Sequence, residues 1–132
     1  MKRAFLFILV IAVVLLCVGL LVAQKPNKPQ PSFPDAVALT DDMTPPTLLE
    51  VAEPNYTEAA KKKKIEGDVV LEIVVDKQGN VVDAKVKKGL GFGLDENAVE
   101  AAKYYRYKPA LDKSGNPVMV RMETSLTFYL HD

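Results

Sequence analysis

Between Val69 and Val86 apolar and polar residues alternate with the two-residue period of strands that have one dry and one wet face. Val69, Leu71, Ile73 and Val75 form one apolar row, rich in β-branched residues, and Gly67 breaks any helix before it. Val82, Ala84 and Val86 form a second row, with Asp83, Lys85 and Lys87 between them. Lys77 and Gln78 fit the centre of a type I turn, and Gly79 supplies the positive φ that closes a bulged hairpin. A third strand is expected from Val118 to Leu130. Val118, Val120, Met122, Leu126, Phe128 and Leu130 alternate there with Met119, Arg121, Glu123, Ser125, Thr127 and Tyr129. So long a strand overhangs its neighbours in a small domain and offers unpaired backbone groups.

Two short helices complete the pattern. The first spans about Asn55 to Lys64, capped by Asn55 or Thr57, with Tyr56, Ala59 and Ala60 apolar and the run Lys61 to Lys64 solvated at its end. The second starts at Asp95 as its cap and runs to about Tyr105, turning Leu94, Ala98, Ala101, Ala102 and Tyr105 inward. Pro109 ends it, and Asp112 to Pro117 makes a turn. A helix, strand, strand, helix, strand order gives an α+β fold. A crossover through the second helix makes strands two and three parallel, so the sheet is three-stranded and antiparallel, in order 2-1-3, with both helices on one face. The expected core is Val69, Leu71, Ile73, Val82, Val86, Leu94, Val120, Leu126 and Phe128, and strand three is an edge.

The N-terminal third has another character. Met1-Lys2-Arg3 is basic and Ala4 to Ala23 carries no charge, enough to form a helix of about 30 Å, the thickness of a bilayer core. Residues 1–23 therefore read as an uncleaved transmembrane anchor, because Leu21 spoils a small-residue cleavage site. The basic start places the remainder outside the cytoplasm. Residues 24–46 hold Pro26, Pro29, Pro31, Pro34, Pro45 and Pro46 with little apolar periodicity, and read as a linker reaching about 70 Å at most. Residues 47–132 form the folded domain, with Thr47 to Pro54 laid against it.

The 17 basic and 17 acidic residues balance, so no global field attracts nucleic acid. A lone Cys17 in an apolar run and a lone terminal His131 supply neither a disulfide nor a metal cluster, and no cofactor is expected. Gly89, Gly91 and Gly93 lack phosphate-loop spacing and mark a tight connection. Tyr104, Tyr105 and Tyr107 beside Arg106 belong to core and rim rather than to a base-stacking platform. No nucleophile and base pair is visible, so an enzyme is not expected.

Pro54-Asn55-Tyr56 with Glu58-Ala59-Ala60, Ile65-Glu66-Gly67, Asp76 to Asn80, Leu94-Asp95 with Ala98, Arg106-Tyr107-Lys108-Pro109-Ala110 and Gly115 to Val118 occur in one order and spacing. In these residues Pro54 to Leu130 resembles the C-terminal domain of the TonB energy transducers, and the anchor and proline-rich linker resemble their layout. Thr57 stands where the family usually has proline, and Tyr105 where it usually has tryptophan. The anchor has neither the serine nor the histidine through which such transducers engage proton-driven motor proteins. The resemblance implies a single-pass inner-membrane protein with a periplasmic domain, which supports proton-motive-force-driven uptake by strand addition to an outer-membrane TonB-dependent receptor segment. It implies an ExbB/ExbD-like motor complex as a second partner. The binding edge would be Val118, Met119, Val120, Arg121, Met122, Glu123, Thr124, Ser125, Leu126 and Thr127, with Asn55 at the family position near the receptor segment. The alternative is a periplasmic or secreted structural domain that self-associates as a homodimer through the same edge, without energy coupling.

Overall fold

A computed structural model of the chain describes residues 32–131. The expected transmembrane anchor and the first part of the linker lie outside these residues. Strand β1 is Val37–Ala38 and β2 Thr47–Glu50; helix α1 is Glu58–Lys62. Strands β3 (Gly67–Val75) and β4 (Val81–Lys88) precede helix α2 (Leu94–Ala102). Strands β5 (Arg106–Lys108), β6 (Ala110–Leu111), β7 (Pro117–Val118) and β8 (Val120–Phe128) follow. The architecture is α+β, with a principal sheet in the order β1-β8-β3-β4 and two small pairs, β2-β5 and β6-β7.

Strand β3 is the centre because both its neighbours pair along it, β8 from Gly67↔Phe128 to Val75↔Val120 and β4 from Val70↔Lys88 to Val75↔Val81. Both pairings are antiparallel. The sheet is nevertheless mixed rather than antiparallel throughout, and four-stranded rather than three-stranded. Residues Val37 and Ala38 add to β8 in parallel, opposite Val120 and Arg121. Two residues are too few to leave a periodic signal in a proline-rich stretch. Nor is the last strand continuous: Val118 pairs with Ala110 in β7, and at Val120 the chain has changed neighbour to Val75.

The core lies between one face of this sheet and the helices. Val69, Leu71, Ile73 and Val75 of β3 cluster with Ala60 of α1 and with Leu94, Ala98, Ala101 and Ala102 of α2. Alanines on α2 let its backbone approach β3 and β4. The hairpin turn follows its sequence closely: Gly79 has φ 84°, and the Asp76 carboxylate accepts from the N–H groups of Gln78 (2.9 Å) and Asn80 (2.8 Å). Asp112 accepts in the same way from Ser114 (2.8 Å) and Asn116 (2.9 Å), with Gly115 at φ 82°. The pentapeptides Asp-Lys-Gln-Gly-Asn and Asp-Lys-Ser-Gly-Asn thus build the same loop twice.

Four further expectations are corrected. Val82 and Val86 are not core: they are 36% and 41% exposed. Val75 faces Val81 while Val74 faces Asp83, so a bulge leaves Val82 unpaired and turns Val81 inward instead; Val86 stands opposite Leu71 but on an uncovered edge. The opposite face is not wholly wet, since Val74, in register with Arg121, is 1% exposed. Finally, Gly93 at φ 78° caps α2 and Asp95 does not. Asp95 sits in the first turn and accepts from Leu90 (2.8 Å) and Gly91 (3.3 Å), tying down the preceding loop. Helix α1 is also shorter than expected, with Thr57 Oγ accepting from Ala60 N–H at 3.2 Å.

Candidate functional site

The outer edge of β8 follows from strand geometry. Even-numbered residues turn toward the helices, where Val120, Leu126 and Phe128 are buried, and Glu123, Ser125 and Thr127 lie exposed on the other face. Backbone groups alternate too, but in the plane of the sheet. The N–H of Val37, outside β8, donates to Met119 O at 3.0 Å. The N–H of Leu130 turns the other way and donates to Glu66 Oε1, just before β3, at 2.7 Å. Odd-numbered positions therefore direct their N–H and C=O away from β3. The outward donors are Arg121, Glu123, Ser125 and Thr127.

The edge is not uniform. Val118 lies in β7 beside Ala110, and Val120 and Arg121 lie beside β1. From Met122 to Phe128 no strand among the described residues pairs with the outer side. The opposite edge of the sheet, β4, carries Lys85, Lys87 and Lys88, charges that discourage edge pairing. Lys87 also reaches Glu123, which raises its pKa first by that hydrogen bond and then by the carboxylate's charge. Arg121 lies 3.5 Å from Glu72, so the like-charged pair Glu72 and Glu123, directly opposite in register, is balanced on both sides.

Beside the open half of β8 runs a groove of about 440 Å³. One side is Ser125, Leu126, Thr127 and Phe128, continued by Tyr129 and His131. The other is Val51, Ala52, Glu53 and Pro54, and Tyr56 and Tyr105 complete the lining. Tyr56 meets Phe128 edge to face, with ring centroids 5.6 Å apart at 89°, and its hydroxyl donates to Ile65 O. Burial, followed by the nearby Glu66, raises the Tyr56 pKa; burial, followed by Tyr107, raises that of Tyr105. Both stay neutral at pH 7 and present aromatic surface rather than charge. Tyr105 and Tyr107 are buried and Tyr104 points to solvent, so these tyrosines share no common face for stacking.

The structure thus brings Ser125, Leu126 and Thr127 of the expected edge into the groove. It leaves Met122, Glu123 and Thr124 on the open edge outside the groove, and Val118 to Arg121 beside other strands. Asn55 is exposed between two lining residues, Pro54 and Tyr56, and its carbonyl accepts from Asn97 Nδ2 at 2.6 Å. The facing wall from Val51 to Pro54 was not foreseen as part of a site. Its sequence signal is Leu48, Leu49 and Val51, apolar and exposed beside a proline.

Residues 52–130 match the family of Gram-negative bacterial TonB protein C-terminal domains. Over 112 residues the chain is 34% identical to Protein TonB of Vibrio cholerae serotype O1, an alignment covering 80% of this chain and 45% of that protein. The chain therefore spans less than half the length of this relative. Among solved structures, the solution structure of the Pseudomonas aeruginosa TonB C-terminal domain is similar in fold, with a TM-score of 0.51 at 20% identity. That match covers 70% of this chain and 91% of the other.

Proposed function

The chain belongs to the family of Gram-negative bacterial TonB C-terminal domains, and on that premise we propose that it acts as a TonB-like energy transducer or periplasmic adaptor that takes a segment of an outer-membrane receptor onto the edge of β8. The observation that carries this reading is the row of outward N–H groups at Glu123, Ser125 and Thr127, unpaired by any described strand, beside a groove that Val51, Tyr56, Tyr105 and Phe128 help to line. In strand addition the backbone bonds supply affinity, and alternate side chains of the guest supply selectivity by what they meet. Here a guest residue on the helix side meets Tyr56, Tyr105 and Val51, so an apolar side chain is favoured there. Each new backbone bond contributes about 1 kcal/mol net. The family's role is transduction, without catalysis, and the groove is suited to binding. Residues 4–23 would anchor the protein in the inner membrane, with the folded part in the periplasm. An anchor without serine or histidine would engage a proton-driven motor through other contacts.

A proline at an outward position removes one donor and blocks approach while leaving the bonds to β3 intact. Ser125→Pro is therefore expected to abolish binding of candidate receptor peptides in calorimetry while keeping the circular dichroism of the parent. Thr124→Pro, at an inward position, is expected to damage the fold itself. If folded Ser125→Pro protein binds as tightly as the parent, strand addition at this edge is wrong. A second reading, self-association through the same edge, is favoured by the exposed Leu49 and Val51 next to it. Sedimentation of the parent and of Ser125→Pro distinguishes it, since only that reading gives a dimer that the proline disrupts.

A further inference from the structure

The first two residues of the β8 edge already hold a strand, and that strand is the chain's own. Val37 and Ala38 run parallel to Val120 and Arg121, with Val37 N–H bonded to Met119 O at 3.0 Å. The attachment is slight: only two residues pair, against nine between β8 and β3, and Val37 remains 42% exposed. Just downstream the same segment is held more firmly. Thr44 and Leu111 exchange both backbone hydrogen bonds, at 2.9 and 3.0 Å, and Asp42 pairs with Lys113 at 2.9 Å. This tether keeps β1 at high local concentration beside an edge that it grips weakly, the arrangement of a displaceable occupant.

We propose that the segment around Val37–Ala38 is an internal competitor for the outer edge of β8, confining a guest strand to Met122–Phe128 until β1 lets go. When it leaves, the outward N–H of Arg121 and the C=O of Met119 become free, and the receptive edge lengthens toward β7. The relevance to receptors rests on the function proposed above; the occupancy itself does not.

The test uses the full chain and a Val37→Pro variant, which removes the donor to Met119. Hydrogen exchange at the Arg121 amide is expected to be at least about tenfold faster in the variant, with the Ile73 amide unchanged as the control for an intact fold. A synthetic peptide of residues 33–40 added in trans is expected to bind the variant and restore Arg121 protection, and to bind the parent about tenfold more weakly because the parent's own segment occupies the edge. Equal exchange at Arg121 in both proteins, or equal peptide affinity for both, overturns the proposal. Receptor peptides that bind neither protein, while the exchange and trans-peptide results hold, refute the receptor reading and leave the internal occupant standing.

Discussion

Gly79 and Tyr107 touch backbone to backbone: Tyr107 N–H donates to Gly79 O at 2.9 Å, and a Cβ on Gly79 would come within 1.7 Å of the Tyr107 carbonyl oxygen. The hairpin tip is therefore locked against β5. Gly115, in the twin loop, has the same left-handed backbone, but a Cβ there meets nothing within 4 Å. Gly115→Ala is expected to cost about 1–2 kcal/mol, the penalty for a side chain in left-handed backbone. Gly79→Ala adds a clash with main chain and is expected to exceed about 3 kcal/mol. Denaturant midpoints of the two variants measure the difference, and equal midpoints would show the tip to be free of β5.

The acid response of the second loop follows from Asp112. Its pKa is lowered chiefly by the backbone N–H of Asn116, with further help from Ser114 and Gly115. A carboxyl whose folded pKa lies below its unfolded value of 3.8 stabilises the fold above that value and loses the contribution as pH falls through the folded pKa. Asp112→Ala is thus expected to be less stable than the parent at pH 7, with the gap closing below roughly pH 4. Thermal melts of the pair across that range check it; a gap constant with pH contradicts it.

Burial separates two apolar positions that stand on the same face of the sheet. Ile73 is fully buried, and Ile73→Ala is expected to cost about 2–5 kcal/mol. Val86 is 41% exposed, and Val86→Ala is expected to shift stability by only about 0.5 kcal/mol. Urea titrations report both, and a large loss at Val86 would place it in the core after all.

Thr57 bonds in two directions. Its Oγ accepts from Ala60 N–H at the start of α1 and donates to Phe92 O at 2.6 Å in the loop before α2. Thr57→Ala removes both and is expected to cost about 1–2 kcal/mol, the range for a lost N-cap, whereas Thr57→Ser retains both and stays near the parent. Exchange of the Ala60 amide, faster in the alanine variant alone, ties the loss to the cap.

The elements that sequence reasoning foretold are those whose periodicity is enforced by a buried face. Strand β3 and the alanine stripe of α2 each meet the core on one side, so their apolar spacing had to match their geometry. The bulge at Val82 was hidden because Val81 and Val82 are equally apolar, and only pairing decides which turns inward. Strands β1, β2 and β5 were hidden for other reasons. β1 and β5 are two and three residues long, too short for a periodic signal, and all four residues of β2 are exposed, so burial imposes no alternation on them. At the candidate site, the length and alternation of the last strand pointed to the edge, and the orientation of Val37 and Leu130 was needed to say which amides face outward. The groove could not be read from sequence. Its walls come from segments more than about 70 residues apart, joined only by folding.

The lysines along β4 bear on a different matter, the behaviour of the protein when crowded. Edge-to-edge growth of sheets into fibres requires two receptive edges per molecule, one to attach and one to extend. Here Lys85, Lys87 and Lys88 line one edge, and the other is open only from Met122 to Phe128. Among the described residues the principal sheet therefore keeps one receptive edge, and a strand seated there would leave that sheet no second open edge from which to extend.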